Sequence, residues 1–456
     1  MLSRVARTTA SLEKAVSASK GAALLKLVFS TRIQTPTRSY WLGDGTRYIG
    51  RAPETDSQGA IWLGDDPCAS RTHATVTVRG DDVMVRDEGS RHGTWLNGLR
   101  IQEERLHDGD LLRTGDSIFV FRQNVDRDHV LRQSPDGMVL ESPAMHRVLA
   151  LADVIARGED PILLLGETGT GKEILCRYIH SQSGRGGPLV SVNCATLTSE
   201  LADSSLFGHR QGAYTGASRA HEGFFAAAGK GTLFLDELGE LSLPVQAKLL
   251  RALSERVVTP VGSTSAKPYQ ARIIAATNRD VDTEERAGTF RPDLLARLDS
   301  FRLTLPPLRE RRDDVLLLLF PYLPRHSRLS GRLAEALLLH SWPHNIRDVQ
   351  KLGRFLQSHC CEEALLDAFH VEPVLRLPPP SAQTPGRGAW SSTTGPLHER
   401  SDAGPEPPIS RTALESLLRK HAGVVARVAA EVLRSPRQVR RWMDHYKLER
   451  SACLPK

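Results

Sequence analysis

No apolar run in this 456-residue chain approaches the roughly eighteen residues needed to cross a bilayer, which excludes a helical membrane span. Cysteine is sparse: Cys68, Cys176, Cys194, Cys360, Cys361 and Cys453 form no CxxC pair and no metal-ligand spacing. That excludes a zinc module and a disulfide scaffold, and leaves buried free thiols in a reducing compartment. The opening stretch MLSRVARTTASLEKAVSASK is rich in Arg, Ser and Ala, as a presequence is, but it has no apolar segment of the secretory kind and it contains Glu13. Residues 1–23 are therefore expected to be a disordered tail, and the protein a cytoplasmic one with no membrane contact. There is no internal repeat. The rest is ordinary for globular protein, with 40% hydrophobic and 25% charged residues, and the length calls for two to four domains. A net charge of +7 permits contact with nucleic acid without specifying it.

The pattern changes three times along the chain. Residues 24–125 hold short alternating runs (ATVTV, VMV, SIFVF) between Gly/Asp turns, which reads as an all-β antiparallel sandwich. After a linker at 126–139, apolar runs alternate with helical periodicity. ILLL precedes a helix from Lys172, TLFL precedes a helix with Val245, Leu249, Leu250 and Leu253 at core spacing, and IIAAT follows. This predicts an α/β core with a parallel sheet over 140–310, followed by a helical lid over 311–374. The Pro/Gly/Ser-rich residues 375–408 read as a flexible linker, which isolates a small all-α piece at 409–450.

The α/β region carries the chemistry. In PILLLGETGTGKE a buried strand runs into Gly166-Glu167-Thr168-Gly169-Thr170-Gly171-Lys172, the GxxxxGK spacing of a phosphate loop. The glycines let backbone N–H groups converge on phosphates, the following helix aims its positive end at them, and Lys172 reaches the β and γ oxygens. Glu173 stands where a Ser or Thr hydroxyl is usual. Thr232-Leu-Phe-Leu235-Asp236-Glu237 then delivers two carboxylates at a strand end, Asp236 suited to hold Mg²⁺ and Glu237 to orient or deprotonate the attacking water of ATP hydrolysis.

GETGTGKE, LFGHRQGAYTGA, GTLFLDELGEL, AATNRD, FRPDLLARL, LPPLRER and WPHNIRDV occur in the order seen in the AAA+ ATPase domain of sigma-54-dependent transcriptional activators. The chain resembles that family over about residues 140–372. The resemblance implies that Asn193 is a switch residue acting on Glu237, that Thr277 and Asn278 sense the γ-phosphate, and that Arg347 in the lid is a second sensor. It makes Arg291 and Arg297 arginine fingers acting on a neighbour's site, hence a homo-oligomer, up to a hexameric ring. It also makes Gly212, Ala213, Tyr214, Thr215, Gly216 and Ala217 the loop that touches sigma-54 on RNA polymerase, with Tyr214 in place of the usual Phe. Arg210 replaces an acid and His344 replaces a Gly of the family pattern.

The front region resembles a forkhead-associated (FHA) domain, on Gly50-Arg51, Ser70-Arg71-Thr72-His73, Ser90-Arg91-His92-Gly93-Thr94 and Asn97-Gly98. The resemblance implies that Arg51, Ser70, Arg71, Arg91 and His92 read phosphothreonine in a partner protein, with His73 and Asn97 architectural. Guanidinium forks and hydroxyls on rigid loops suit a dianionic phosphate. Residues 409–450 resemble a Fis-type helix-turn-helix, implying that Arg437, Gln438, Arg440 and Arg441 contact double-stranded DNA as a dimer; Val424 and Arg434 depart from the usual turn. The implied protein is an FHA-regulated, ATP- and Mg²⁺-dependent activator that opens sigma-54 promoters. Two readings stay open beside it: an AAA+ remodeller of a non-transcriptional partner, and a non-catalytic, phosphothreonine-dependent DNA-binding adaptor.

Overall fold

A strand whose every second residue is apolar can bury only one face, and the runs of the front region stack two such faces together. A computed structural model describes residues 21–30, 38–52, 59–64, 66–126, 138–214, 217–377 and 411–420, with isolated positions 428, 443 and 446. The chain divides into two units, Met1–Gln383 and Thr384–Lys456. The first begins with strands β1 (Ala22–Phe29), β2 (Arg38–Leu42), β3 (Gly45–Gly50), β4 (Ala60–Trp62), β5 (Ala74–Arg79), β6 (Asp82–Asp87), β7 (Thr94–Leu96), β8 (Leu99–Ile101), β9 (Glu103–Arg105), β10 (Leu111–Thr114) and β11 (Ser117–Val125). They form two sheets, ordered β2-β1-β11-β10-β7-β8 and β4-β3-β5-β6-β9. Every pairing is antiparallel except β3 with β4. Leu25, Leu27, Val76, Val85, Leu112, Phe119 and Phe121 fill the space between them. Ala22 and Ala23, placed in the tail by the sequence reading, already belong to β1. Residues 1–20 of that tail lie outside the described residues.

The central domain alternates as the sequence predicts. Its principal elements are α1 (Pro143–Ala156), β12 (Ile162–Leu165), α2 (Lys172–Gln182), β13 (Leu189–Asn193), α3 (Ser199–Phe207), β14 (Thr232–Asp236), α4 (Leu243–Glu255), β15 (Arg272–Thr277), α5 (Pro292–Leu298) and β16 (Phe301–Thr304). The five strands are parallel in the order β13-β14-β15-β12-β16. Their side chains feed a separate core on each face of the sheet. Both faces are covered, which is why these strands read as unbroken apolar runs. Ser142 caps α1 by accepting from Met145 N, with Pro143 in the first turn.

The lid follows as α6 (Arg312–Leu319), α7 (Gly331–Leu339) and α8 (Ile346–His359). Its core also contains Val28, Phe29, Leu111, Ile118 and Val120 of the sandwich. The six-stranded sheet thus has no free outer face along β1, β10 and β11, because the lid helices cover it. Lys26, Arg113 and Arg122, which alternate onto that face, are buried there. Leu375, assigned above to the flexible linker, instead packs into the lid core, where its N–H donates to Val371 O at 2.8 Å. Linker residues 378–408 lie outside the described residues.

In the second unit, α9 (Arg411–Lys420) buries Leu414 and Leu418, one turn apart. Arg437, Gln438, Arg440 and Arg441 lie outside the described residues. Among those described, no helix is long and apolar enough to cross a membrane.

Candidate functional site

The strand β12 ends at Leu165 and the chain turns at once through Gly166, Gly169 and Gly171, all at positive φ. At Gly169 an added Cβ would stand 2.3 Å from His344 O, so only glycine lets the lid backbone approach this loop. Lys172 opens α2 and folds back, its Nζ donating to Gly166 O at 2.8 Å. Burial pushes this ammonium's pKa down and Arg347 adds to the fall, against the pull of Glu237 and Asp236. Those four groups therefore share one electrostatic neighbourhood. Glu173 turns away along the helix surface to pair with Arg177 at 2.5 Å.

Adjacent parallel strands bring the remaining groups to the same sheet edge, the usual place for ligands in open α/β sheets. Asp236 ends β14 opposite Asn193 of β13. Its Oδ1 accepts from Glu237 N at 3.0 Å, and Glu237 itself sits at φ 52°, a conformation seldom adopted by a residue with a side chain. Asn193 accepts from Ala195 N at 2.9 Å, capping its own turn. Thr277 ends β15 beside Leu165 of β12. Its buried Oγ1 accepts from Arg279 N at 3.1 Å, while Asn278 Nδ2 donates to Thr168 Oγ1 at 2.9 Å.

Three lid-side groups that the sequence reading did not single out complete the loop's surroundings. Asn345 is fully buried; its Nδ2 donates to Thr168 O at 3.0 Å and Glu167 Oε2 at 3.1 Å, and its Oδ1 accepts from Leu308 N at 2.6 Å. Arg309 makes a two-pronged pair with the Glu167 carboxylate at 2.7 and 2.9 Å, and the hydrogen bonds hold that carboxyl below its usual range. Arg311, also buried, donates to Thr170 O at 2.7 Å. The backbone contributes too, Ile346 N donating to Gly169 O at 3.1 Å. Carbonyls of residues 168, 169 and 170 are thus tied outward to the lid. All three lid-side groups lie within LPPLRER and WPHNIRDV, the segments that also hold Arg347 and His344.

Arg291 and Arg297, on and beside α5, are engaged locally. Arg291 pairs with Asp293 at 2.7 Å, and Arg297 donates to Leu253 O at 3.2 and 3.3 Å. The GAYTGA loop closes on itself, Gly212 N donating to Ala217 O at 2.8 Å and Ala217 N to Tyr214 O at 3.0 Å. Its neck is a two-way bridge between His209 and His221 at 2.9 and 3.0 Å. Tyr214 is 40% exposed; its ring centre lies 5.1 Å from that of His209 and its hydroxyl 3.4 Å from Ser204 Oγ. Thr215 and Gly216 lie outside the described residues.

In the sandwich, a Cβ on Gly50 would fall 2.0 Å from Arg71 O. That close approach lets Arg51 N donate to Ser70 O at 2.9 Å, and Ser70 Oγ accepts from Arg91 N at 3.1 Å. Three loops therefore meet at Ser70, with the Arg51, Arg71, Arg91 and His92 side chains exposed around it. Buried His73 fastens them, Nδ1 accepting from Ser70 N at 3.1 Å and Nε2 facing Gly93 O at 3.2 Å. Burial pushes its pKa down, so a neutral ring fits both bonds. Asn97, at φ 48°, joins Leu111 N and Asp110.

A Sigma-54 interaction domain family matches residues 138–304, and an FHA domain family matches residues 47–115. Response regulator protein FleR of Pseudomonas aeruginosa is 44% identical over 234 residues, spanning 48% of this chain and 50% of FleR. Nitric oxide reductase transcription regulator NorR1 of Cupriavidus necator is 39% identical over 319 residues, spanning 65% of this chain and 61% of NorR1. The chain spans about half the length of the first curated relatives it matches. Among solved structures, NtrX from Brucella abortus in complex with ATP is 26% identical and covers 69% of this chain and 70% of its own, with a TM-score of 0.48.

Proposed function

The chain belongs to the sigma-54-dependent transcriptional regulators and carries an FHA domain ahead of its AAA+ ATPase-class domain, and from that membership we propose that it hydrolyses ATP to convert sigma-54 RNA polymerase from closed to open promoter complex. The observation that carries this reading is the convergence of Lys172, Asp236, Glu237 and Asn278 on one loop, beside a second loop that exposes an aromatic ring.

The residues present fit the nucleotide and its ion. With the carbonyls of Thr168, Gly169 and Thr170 drawn to the lid, the opposite edges of those peptides turn their N–H groups away from it, toward phosphate oxygens, Thr170 N giving up its 3.3 Å bond to Glu167 O. Asp236 supplies a hard oxygen ligand suited to Mg²⁺, which when bound neutralises charge on the β and γ phosphates. Lys172 leaves its carbonyl partners for those oxygens, Glu237 holds and deprotonates the attacking water, and Asn278 and Arg347 report on the γ-phosphate. Asn193, beside Asp236, releases or restrains Glu237. Arg291 and Arg297 of a neighbouring copy stabilise the transition-state charge, so the working form is a ring. Tyr214, at the tip of residues 212–217, presents contact area to the sigma factor at low entropy cost.

The phosphothreonine of a partner protein binds at Arg51, Ser70, Arg71, Arg91 and His92. A helix-turn-helix using Arg437, Gln438, Arg440 and Arg441 tethers the protein to DNA, all in the cytoplasm where polymerase works. The test is Tyr214→Ala: ATP turnover stays within about twofold of the unsubstituted protein while open-complex formation at a sigma-54 promoter is lost. Promoter opening by the variant at the unsubstituted rate would contradict the loop's role. An Arg51→Ala variant is expected to lose phosphothreonine-peptide binding, which calorimetric titration reads directly.

A further inference from the structure

One short stretch of chain touches both the phosphate loop and the FHA sandwich. Residues 309 to 314, RERRDD, run into the first turn of α6 and reach out in three directions. Arg309 grips Glu167 and Arg311 donates to Thr170 O, both within the phosphate loop. Arg312 turns to the sandwich, donating to Gly109 O at 2.9 Å and Asn97 Oδ1 at 3.2 Å. Asp313, wholly buried, receives the Arg122 guanidinium of β11, with Nε at 3.0 Å. Asp314 accepts from Glu141 N at 2.8 Å and Ser142 N at 3.0 Å, fixing the entry to α1.

We propose that residues 309–314 are a mechanical connector through which the FHA domain sets the shape of the ATP-binding loop. Arg309 and Arg311 act as positioning residues for that loop, and Arg122, Arg312 and Asp313 hold them in register. The physical basis is that an arginine can orient a peptide carbonyl only if its own backbone is fixed. Here the backbone is fixed from the opposite side by a buried ion pair and by apolar packing of β10 and β11 on α6 and α7. A sandwich shifted by ligand at its loops moves Arg122, and with it Asp313, Arg311 and Thr170. By linkage, nucleotide in the loop must then alter the sandwich's affinity for its own ligand by the same factor. Asn97 sharpens the geometry: it receives Arg312 and also shapes the turn between β7 and β8, next in sequence to the Arg91–His92 loop. The inference rests on the ATP-binding reading above.

The test uses the full chain and the dissociation constant of ATP itself. Arg122→Leu with Asp313→Leu replaces the buried pair by apolar side chains, a change that folded proteins tolerate well. Arg312→Met removes the second tie and keeps its aliphatic stem. The control, Arg113→Leu with Glu335→Leu, removes another buried pair of the same interface, bonded at 2.9 Å, that touches neither the connector nor the loop. The connector variants are expected to weaken ATP binding roughly five- to tenfold and to speed amide exchange over residues 166–171. The control should stay within about twofold of the unsubstituted chain, about 0.4 kcal/mol. Connector variants that bind ATP and protect those amides like the unsubstituted chain would overturn the proposal, as would equal weakening by the control, which signals general loosening. Failure of the unsubstituted chain to bind ATP would overturn the functional reading and the connector with it.

Discussion

Asp314 is buried where the lid meets the start of α1, and its acid–base behaviour differs from that of its neighbour Asp313. Burial raises the Asp314 carboxyl from 3.8 to about 6, whereas burial of Asp313 is outweighed by Arg122 and Lys26, which hold that carboxyl below its usual range. The consequences have opposite sign. Between pH 4 and 6 the folded protein binds more protons at Asp314 than the unfolded chain does, so this residue's contribution to stability is present at the acid end and lost as pH rises through about 6. Asp313 contributes above the unfolded carboxylate pKa and loses that contribution as pH falls below it. Asp314→Asn keeps an oxygen for Glu141 N and Ser142 N while removing the charge. Its stability relative to the unsubstituted protein is expected to climb from pH 4 to 7, by on the order of 2 kcal/mol, as measured by denaturant unfolding across that range. A flat difference would contradict the assignment. Nothing in the sequence distinguishes the two adjacent acids, because the distinction comes from Arg122, far away along the chain.

At the scale of elements, strands and helices were largely legible because burial leaves a periodic trace. ILLL, TLFL and IIAAT became β12, β14 and β15, and the spacing of Val245, Leu249 and Leu253 became the buried side of α4. The sandwich was legible too, but the burial of its outer face was not. SIFVF is apolar at consecutive positions, so Phe119 and Phe121 serve one core and Ile118 and Val120 another. A two-sided run in an antiparallel sheet was the available signal that something covers it. The turn before α8 shows a second gap: Asn345 stands at φ 53°, ψ −127°, where a side chain is costly, and its buried amide makes three hydrogen bonds. The family motif marks Arg347, two positions on, but not Asn345, which joins Arg309 and Arg311 in tying the phosphate loop to the lid. Asn345→Gly keeps the backbone shape and deletes those bonds. It is expected to weaken ATP binding by about 1–3 kcal/mol, read as a shift in the nucleotide titration midpoint. Unchanged affinity would show that the lid contact does not organise the loop.

For the molecule as a whole, the shared core means that the sandwich and the lid are not independent bodies. Val28, Phe29, Leu111, Ile118 and Val120 pack with Leu316, Leu319, Leu333 and Leu337, and buried pairs join Arg122 to Asp313 and Arg113 to Glu335. Sandwich and lid are therefore expected to unfold together, which scanning calorimetry and segment-resolved amide exchange would both register. Separate transitions for residues 22–125 and 312–377 would contradict the shared core. Breaking one partner alone, as in Arg122→Ala, leaves a buried unpaired carboxylate and is expected to cost about 3–5 kcal/mol.

An ATPase whose arginine fingers serve a neighbouring copy depends on assembly for its turnover. ATP hydrolysis should be followed over a protein concentration series, with Arg291→Ala beside the unsubstituted chain. Turnover per subunit that rises with concentration and disappears in the variant is the expected result, because the Arg291 side chain, paired with Asp293 in its own chain, is proposed to serve a neighbour's site. Concentration-independent turnover that survives the substitution would contradict an assembled ring with shared sites.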